Sequence, residues 1–120
     1  MNKEVVGTFV EFYYRSLNER NFVLLKPHLK GSSTFVRDTS EWNGTNHIIS
    51  CLQSNAVTYK PVKLNVLVNG DRRANVLVSG TLVPTDHTIT APIPYSEYLL
   101  LSYSNTKEYW IHTSMLHVIV

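Results

Sequence analysis

Up to about residue 60 the apolar residues of this chain recur at helical spacing, and beyond it they alternate with polar ones in strand fashion. In "PVKLNVLVNG", Val62, Leu64, Val66 and Val68 alternate with Lys63, Asn65 and Asn69. "RANVLVSGTLV" follows a turn marked by Gly70 in "NGDRRAN", and two longer strands, "IPYSEYLLLSY" and "EYWIHTSMLHVIV", are joined by a hairpin loop at "SNTKE". A short earlier strand is read at "STFVR". In the first segment Val5, Val6, Phe9, Val10, Phe12, Tyr13, Tyr14 and Leu17 cover an arc of roughly 200° on a helical wheel. Glu4, Thr8, Glu11, Arg15, Asn18 and Glu19 share the remaining strip. A second short helix is expected from Glu19 to Lys26, stopped at Pro27. A third is expected in "GTNHIISCLQSN", with Thr45 as N-cap and Ile48, Ile49 and Leu52 turned inward. Helices first and strands after define an α+β fold: three N-terminal helices packed on one face of a strongly bent antiparallel sheet.

The 120 residues make a single domain, 1–120, with enough chain for a core that needs neither disulfide nor metal. The lone Cys51 can form no internal bridge, and beside Leu52 it reads as a small buried thiol. The start "MNKEVVGTF" lacks the order of a secretory leader, and no run approaches the roughly 18 apolar residues of a membrane span, so an intracellular setting is expected. There the sequon at Asn43 carries no glycan and reads as a turn. Eleven Lys and Arg against nine Asp and Glu leave a formal charge of +2, with the basic residues scattered. Direct nucleic-acid binding is therefore not expected, and Arg72 and Arg73 read as a solvated turn. The five histidines include no metal-binding pair on a helix, and no glycine-rich phosphate loop follows a strand.

The late strands are apolar on both faces. Tyr98 and Leu100 alternate with Leu99 and Leu101, and Ile111, Met115 and Ile119 with Trp110, Leu116 and Val118. If helices cover one face, the other is an apolar surface of a size that soluble monomers rarely expose, and a partner protein is expected on it.

The succession "FVEFYYRSL", "STFVR", "WNGTNHIISCL" and "EYWIHTSML", in order and with similar spacing over nearly the whole chain, resembles the nuclear transport factor 2 family. The resemblance implies a cone of three helices set into a bent antiparallel sheet. For the transport factor itself it implies a homodimer that carries Ran-GDP into the nucleus on acidic residues, here matched by Asp38. The loop "PTDHTITAP" offers Asp86 alone, with His87 where a further carboxylate is wanted, which ranks Ran carriage second. The chain also resembles, at "YYRSLNERN" and "GSSTFV", the small subunit of the heterodimeric mRNA export receptor. That resemblance implies a scaffold paired with a homologous domain of a larger export receptor subunit, or with a second copy of itself. It implies binding to nucleoporin Phe-Gly repeats, only indirect contact with RNA, no membrane partner and no cofactor, in nucleus and cytoplasm at the nuclear pore. Tyr98, Leu100, Ile111, Met115 and His117 are then expected at or near the interface between domains.

Other relatives on this fold are ketosteroid-isomerase-like or dehydratase-like enzymes. Their sites imply a tyrosine on the first helix, an aspartate base before the third and a second carboxylic acid on a late strand. Tyr13 and Asp38 match the first two; at the third place stands Pro94, with Glu97 on the opposite face of the strand. Without that acid a developing oxyanion lacks a donor, so no enzyme is expected, and Tyr13 and Tyr14 read as core residues with hydrogen-bonded hydroxyls.

Overall fold

The computed structural model describes residues 2–85, 91–103 and 108–119. Helix α1 spans Lys3–Asn18, and a 3₁₀ helix spans Phe22–His28. Strands β1 (Thr34–Arg37) and β2 (Ser40–Asn43) precede helix α2 (Thr45–Ser54), and four strands follow: β3 (Val57–Asn69), β4 (Arg73–Pro84), β5 (Ile93–Tyr103) and β6 (Tyr109–Val118). All six strands form one sheet in the order β2, β1, β6, β5, β4, β3. The hairpin at Gly70 forms as read, with Gly70 at φ 66°. The "SNTKE" loop lies almost wholly outside the described residues, as do Asp86 and His87.

Helix α1 starts where Asn2 Oδ1 accepts the Val5 N–H at 2.9 Å, so the N-cap satisfies a donor the helix cannot. Its C-cap is Glu19, and the chain turns away at Arg20, a left-handed residue at φ 55°. The Arg20 guanidinium then donates to Gln53 O at the end of α2, at 2.7 Å, which ties the two helix termini together. The face of α1 carrying Val6, Phe9, Val10, Tyr13, Tyr14 and Leu17 is buried against the concave side of the sheet. Opposite it lie Val76 and Val78 of β4, Leu99 and Leu101 of β5, and Ile111 of β6, each fully buried.

Several expectations are corrected. The sheet is mixed, because β1 pairs with β6 in parallel, Phe35 beside Ser114 and Arg37 beside Leu116. A four-residue strand is too short to carry a direction in its side-chain alternation, so sequence could not supply it. The second helical segment is a 3₁₀ helix that includes Pro27, since a proline near the end of so short a turn removes no bond the segment needs. The N-cap of α2 is Gly44, at φ 84°, and Thr45 is the first helical residue. Asn43 is the last residue of β2, its Oδ1 accepting from Thr34 Oγ1 at 2.9 Å.

Two bulges shape the sheet. In β3 the register against β4 slips between Pro61 and Lys63, and in β6 His112 is the extra residue between Ile111, paired with Leu101, and Thr113, paired with Leu100. The second bulge reverses which alternate residues face the core. Ile111 and Met115 are four apart and by simple alternation would share a face; instead Ile111 is 0 % exposed on the inner side and Met115 is 48 % exposed on the outer one. Ile111 is thus a core residue, which removes it from the expected interface.

Candidate functional site

Along β5 the odd positions Tyr95, Glu97, Leu99 and Leu101 point into the concave side, and Pro94, Ser96, Tyr98 and Leu100 point outward. Pro94, taken from sequence as the inward position, is exposed on the outer side. The late-strand acid is therefore present in the interior, as Glu97, fully buried. Its carboxylate collects donors from three other elements. Tyr14 of α1 donates to Oε1 at 2.5 Å; Tyr13 of α1 and Ser114 of β6 donate to Oε2 at 2.7 and 2.5 Å. Arg37, at the end of β1, places Nη2 3.5 Å from Oε2 and donates from Nη1 to Ser114 Oγ at 2.9 Å. The guanidinium also lies over the Phe35 ring, 4.8 Å from its centroid.

This arrangement follows from the strand order. Parallel pairing of β1 with β6 sets Arg37 beside Leu116, close to Ser114, and antiparallel pairing of β5 with β6 sets Glu97 opposite Leu116. Helix α1 crosses the same region with adjacent tyrosines, one for each carboxylate oxygen. Burial, with the Glu97 carboxylate next in effect, pushes both the Tyr13 and the Tyr14 phenols well above the ordinary value. Burial opposes the charge on Arg37, yet Tyr13 and Glu97 outweigh it and hold the guanidinium protonated. Tyr59 and Tyr95 extend the cluster, their rings 5.5 Å apart edge to face and Tyr59 similarly 5.8 Å from Tyr14. Burial pushes Tyr59 up to about 12 and raises Tyr95 as well. The Tyr95 hydroxyl is buried without a hydrogen-bond partner among the described residues.

A phenol whose folded pKa lies above its unfolded value keeps its proton longer in the native state. The stability it contributes is complete below pH 10.0, the ordinary tyrosine value, and is lost as pH rises through the folded value, about 12 for Tyr59. Tyr13, Tyr14, Tyr59 and Tyr95 are accordingly expected to ionise together with unfolding, in one alkaline transition. Ultraviolet difference absorbance followed beside circular dichroism checks this; separate ionisation of these phenols near pH 10 with the fold intact would contradict it.

Asp38 is exposed at φ 56°. Its Oδ1 accepts from the Val118 N–H at 3.2 Å and lies 3.8 Å from His117 Nδ1. The structure therefore does not join Tyr13 to Asp38, the pair expected for an enzyme, but joins Tyr13 to Glu97. A cleft of about 120 Å³ opens between Asp38, Tyr59, Leu82 and Val118 and reaches Arg37 but neither Glu97 nor Tyr13. Ligand pockets run to about 300–1,000 Å³, so this one is small for an organic substrate. No group of three or more His, Cys, Asp or Glu able to hold a metal ion occurs among the described residues. No helix there is long and apolar enough to cross a membrane.

The outer face of the sheet carries a second candidate site. Strand register sets Leu77 beside Tyr98, Tyr98 beside Met115 and Met115 beside Val36, a single apolar row across β4, β5, β6 and β1. Leu77 is 51 % exposed, and Tyr98 is held toward β4 by donation from its hydroxyl to Asn75 Oδ1. Depressions of about 310 and 300 Å³ flank the ridge that Leu77 and Tyr98 form. Leu100 and His117, the remaining residues expected there, are on this face, His117 at its margin beside Asp38. Leu77 and Val36 were missed from sequence: Leu77 sits in an evenly apolar run, and Val36 joins the row only through the parallel pairing.

Similarity of fold to solved structures is extensive. A nuclear transport factor 2 (Ntf2) from Cryptosporidium parvum superposes with a TM-score of 0.81 at 16 % identity, over 94 % of this chain and 90 % of that one. A ketosteroid isomerase-like protein from Erwinia carotovora atroseptica gives 0.80 at 16 %, over 100 % and 99 % of the two chains. A chain of the yeast complex of deubiquitinase Ubp3 and its cofactor Bre5 gives 0.80 at 12 %, over 100 % and 98 %. The fold is that of nuclear transport factor 2-like domains, α+β with a curved mixed sheet. No protein-family model matches the chain, and no curated protein matches it in sequence.

Proposed function

We propose that this chain is a scaffold domain that works by pairing, through the outer face of its sheet, with a homologous domain or a second copy of itself. We place it in nucleocytoplasmic transport, as the small subunit of an export receptor for mRNA that binds nucleoporin Phe-Gly repeats. The observation that carries the pairing is the row Leu77, Tyr98, Met115 and Val36, which crosses four strands, with Leu77 and Met115 half-exposed and two depressions beside it. Burying such a row removes apolar surface from water at about 25 cal/mol per Å². The flanking depressions would receive side chains from the opposite sheet. The transport assignment is supported by the succession of family-like segments and by the likeness in fold to Ntf2.

The interior supports a scaffold over a catalyst. Glu97 accepts from three hydroxyls and an arginine, so its lone pairs are occupied by the protein itself, and a general base must instead reach the proton of a substrate. One observation favours the enzyme reading, namely that a carboxylate does meet a tyrosine of α1 inside the curved sheet. Turnover of a small ketone, abolished in Glu97→Gln, would establish it. Ran-GDP carriage ranks below export, with Asp38 as its exposed acid.

Sedimentation velocity of the purified chain should give a dimer, or a tight complex with a co-expressed homologous domain. Met115→Asp should weaken that association at least about tenfold while the melting temperature stays near that of the parent. A stable monomer that captures neither partner would end this reading.

A further inference from the structure

Strand β3 is the last strand of the sheet, thirteen residues long, and its outer edge faces no other strand among the described residues. The first half of that edge is closed. Asn18 reaches across from α1 and bonds the Tyr59 backbone twice, accepting its N–H at 2.8 Å and donating to its carbonyl at 2.9 Å. Pro61 has no N–H to offer, the bulge follows at Val62, and Lys60 and Lys63 are exposed beside it. Proline, bulges and lysines are the devices by which native sheets block pairing at an edge.

Past Lys63 these devices stop. In an antiparallel ladder the N–H and C=O of one residue point to the same side, so Tyr59 marks the outward phase. Register against β4 then assigns the next outward groups to Leu64, Val66 and Val68. None of these has a further backbone or side-chain partner among the described residues. The stretch from Leu64 to Val68 contains no charge and no proline, with Leu64 39 % and Leu67 61 % exposed. Beside its start, between α1 and β3, lies a groove of about 170 Å³ lined by Val10, Tyr14, Pro61, Val62 and Leu64, with the charged Glu11 and Lys63 also in its wall.

We propose that the Leu64–Val68 edge is a peptide-binding site that takes an extended segment of a partner protein as a seventh strand, with alternate apolar side chains and acidic residues at both ends. Unpaired backbone groups at ladder spacing are matched only by another extended backbone, and the groove accepts an apolar side chain on the inner side. Charge marks the flanks: Lys60 and Lys63 stand at one end of the open stretch, and at the other Arg72 and Arg73 outnumber Asp71, all exposed. Those charges argue against a second copy, because antiparallel self-pairing about Val66 brings the lysine end of one copy against the arginine hairpin of the other. The site adjoins the outer row, since Asn65, Val66 and Leu67 also line one of the depressions beside Leu77 and Tyr98, but the backbone groups it uses lie along the edge and not on that face.

The test uses the full chain and a synthetic peptide, Asp-Glu-Val-Thr-Val-Thr-Val-Glu-Asp, with an analogue N-methylated at its three valines. Amide exchange should slow at Leu64, Val66 and Val68 as the parent peptide saturates the protein. N-methylation should weaken binding at least about tenfold, since each methyl deletes a backbone donor. Val66→Pro should weaken binding comparably, while Met115→Asp leaves it unchanged. Equal binding of the methylated analogue, or protection at Leu77 and Met115 in place of the edge, would overturn the proposal. So would protection of the same amides by self-association without peptide.

Discussion

Glu97→Ala is expected to destabilise the fold by about 3–5 kcal/mol, the cost of removing one partner from a buried ion pair. That is a large part of what a domain of this size has to lose. The truncation leaves the Arg37 guanidinium, only 10 % exposed, without its counter-ion, and takes the acceptor from Tyr13, Tyr14 and Ser114 at once. Pairing Glu97→Met with Arg37→Met should recover much of the loss, because it deletes both charges and refills the volume with apolar atoms. Urea denaturation of the single and double variants measures the difference. A Glu97→Ala protein within about 1 kcal/mol of the parent would mean that the carboxylate does not tie the four elements together.

The second large effect is expected at Gly80. A Cβ there would sit 2.3 Å from the Lys60 carbonyl oxygen and 2.8 Å from Pro61 Cα, both backbone atoms that cannot swing aside. Gly80 pairs with Pro61 next to the β3 bulge, and the close passage of the two backbones is what a bend in the sheet requires. Gly80→Ala should therefore cost about 3 kcal/mol, at the upper end of what overpacking produces, by forcing β3 away from β4. Gly7→Ala serves as the control, since its Cβ meets only Leu64 Cδ2 at 3.9 Å. Equal melting temperatures for the two variants would show that the bend tolerates a methyl group.

The switch of period at residue 60 made the helices and the long hairpins legible, and with them the concave core of α1 against β4 and β5. What stayed hidden was set by single residues that break a period. The extra residue at His112 moved Ile111 from the expected interface into the core, and no apolar pattern announces a bulge of that kind. Phase also decided the Glu97 assignment: reading Pro94 as inward placed the acid outside, although alternation between the two positions was read correctly. Arg37 was invisible as its partner because the link between β1 and β6 joins segments about 77 positions apart, as the Arg37–Ser114 bond does. The outer-face residues Tyr98, Leu100, Met115 and His117 were readable because nothing interrupts alternation along β5 or beyond Thr113 in β6.

The parallel seam between β1 and β6 has a further bearing on biogenesis. During translation, α1 and β1 precede their partners by a long stretch: the hydroxyls of Tyr13 and Tyr14 find their acceptor only 84 and 83 positions later, and Thr34 of β1 finds its neighbour only at Thr113. Until β6 clears the ribosome, the nascent chain holds an arginine and two phenols that have no place to go but water. Such long-range closure slows the search for the native state. It makes closure of the fold wait on β6, the strand that acts as the latch.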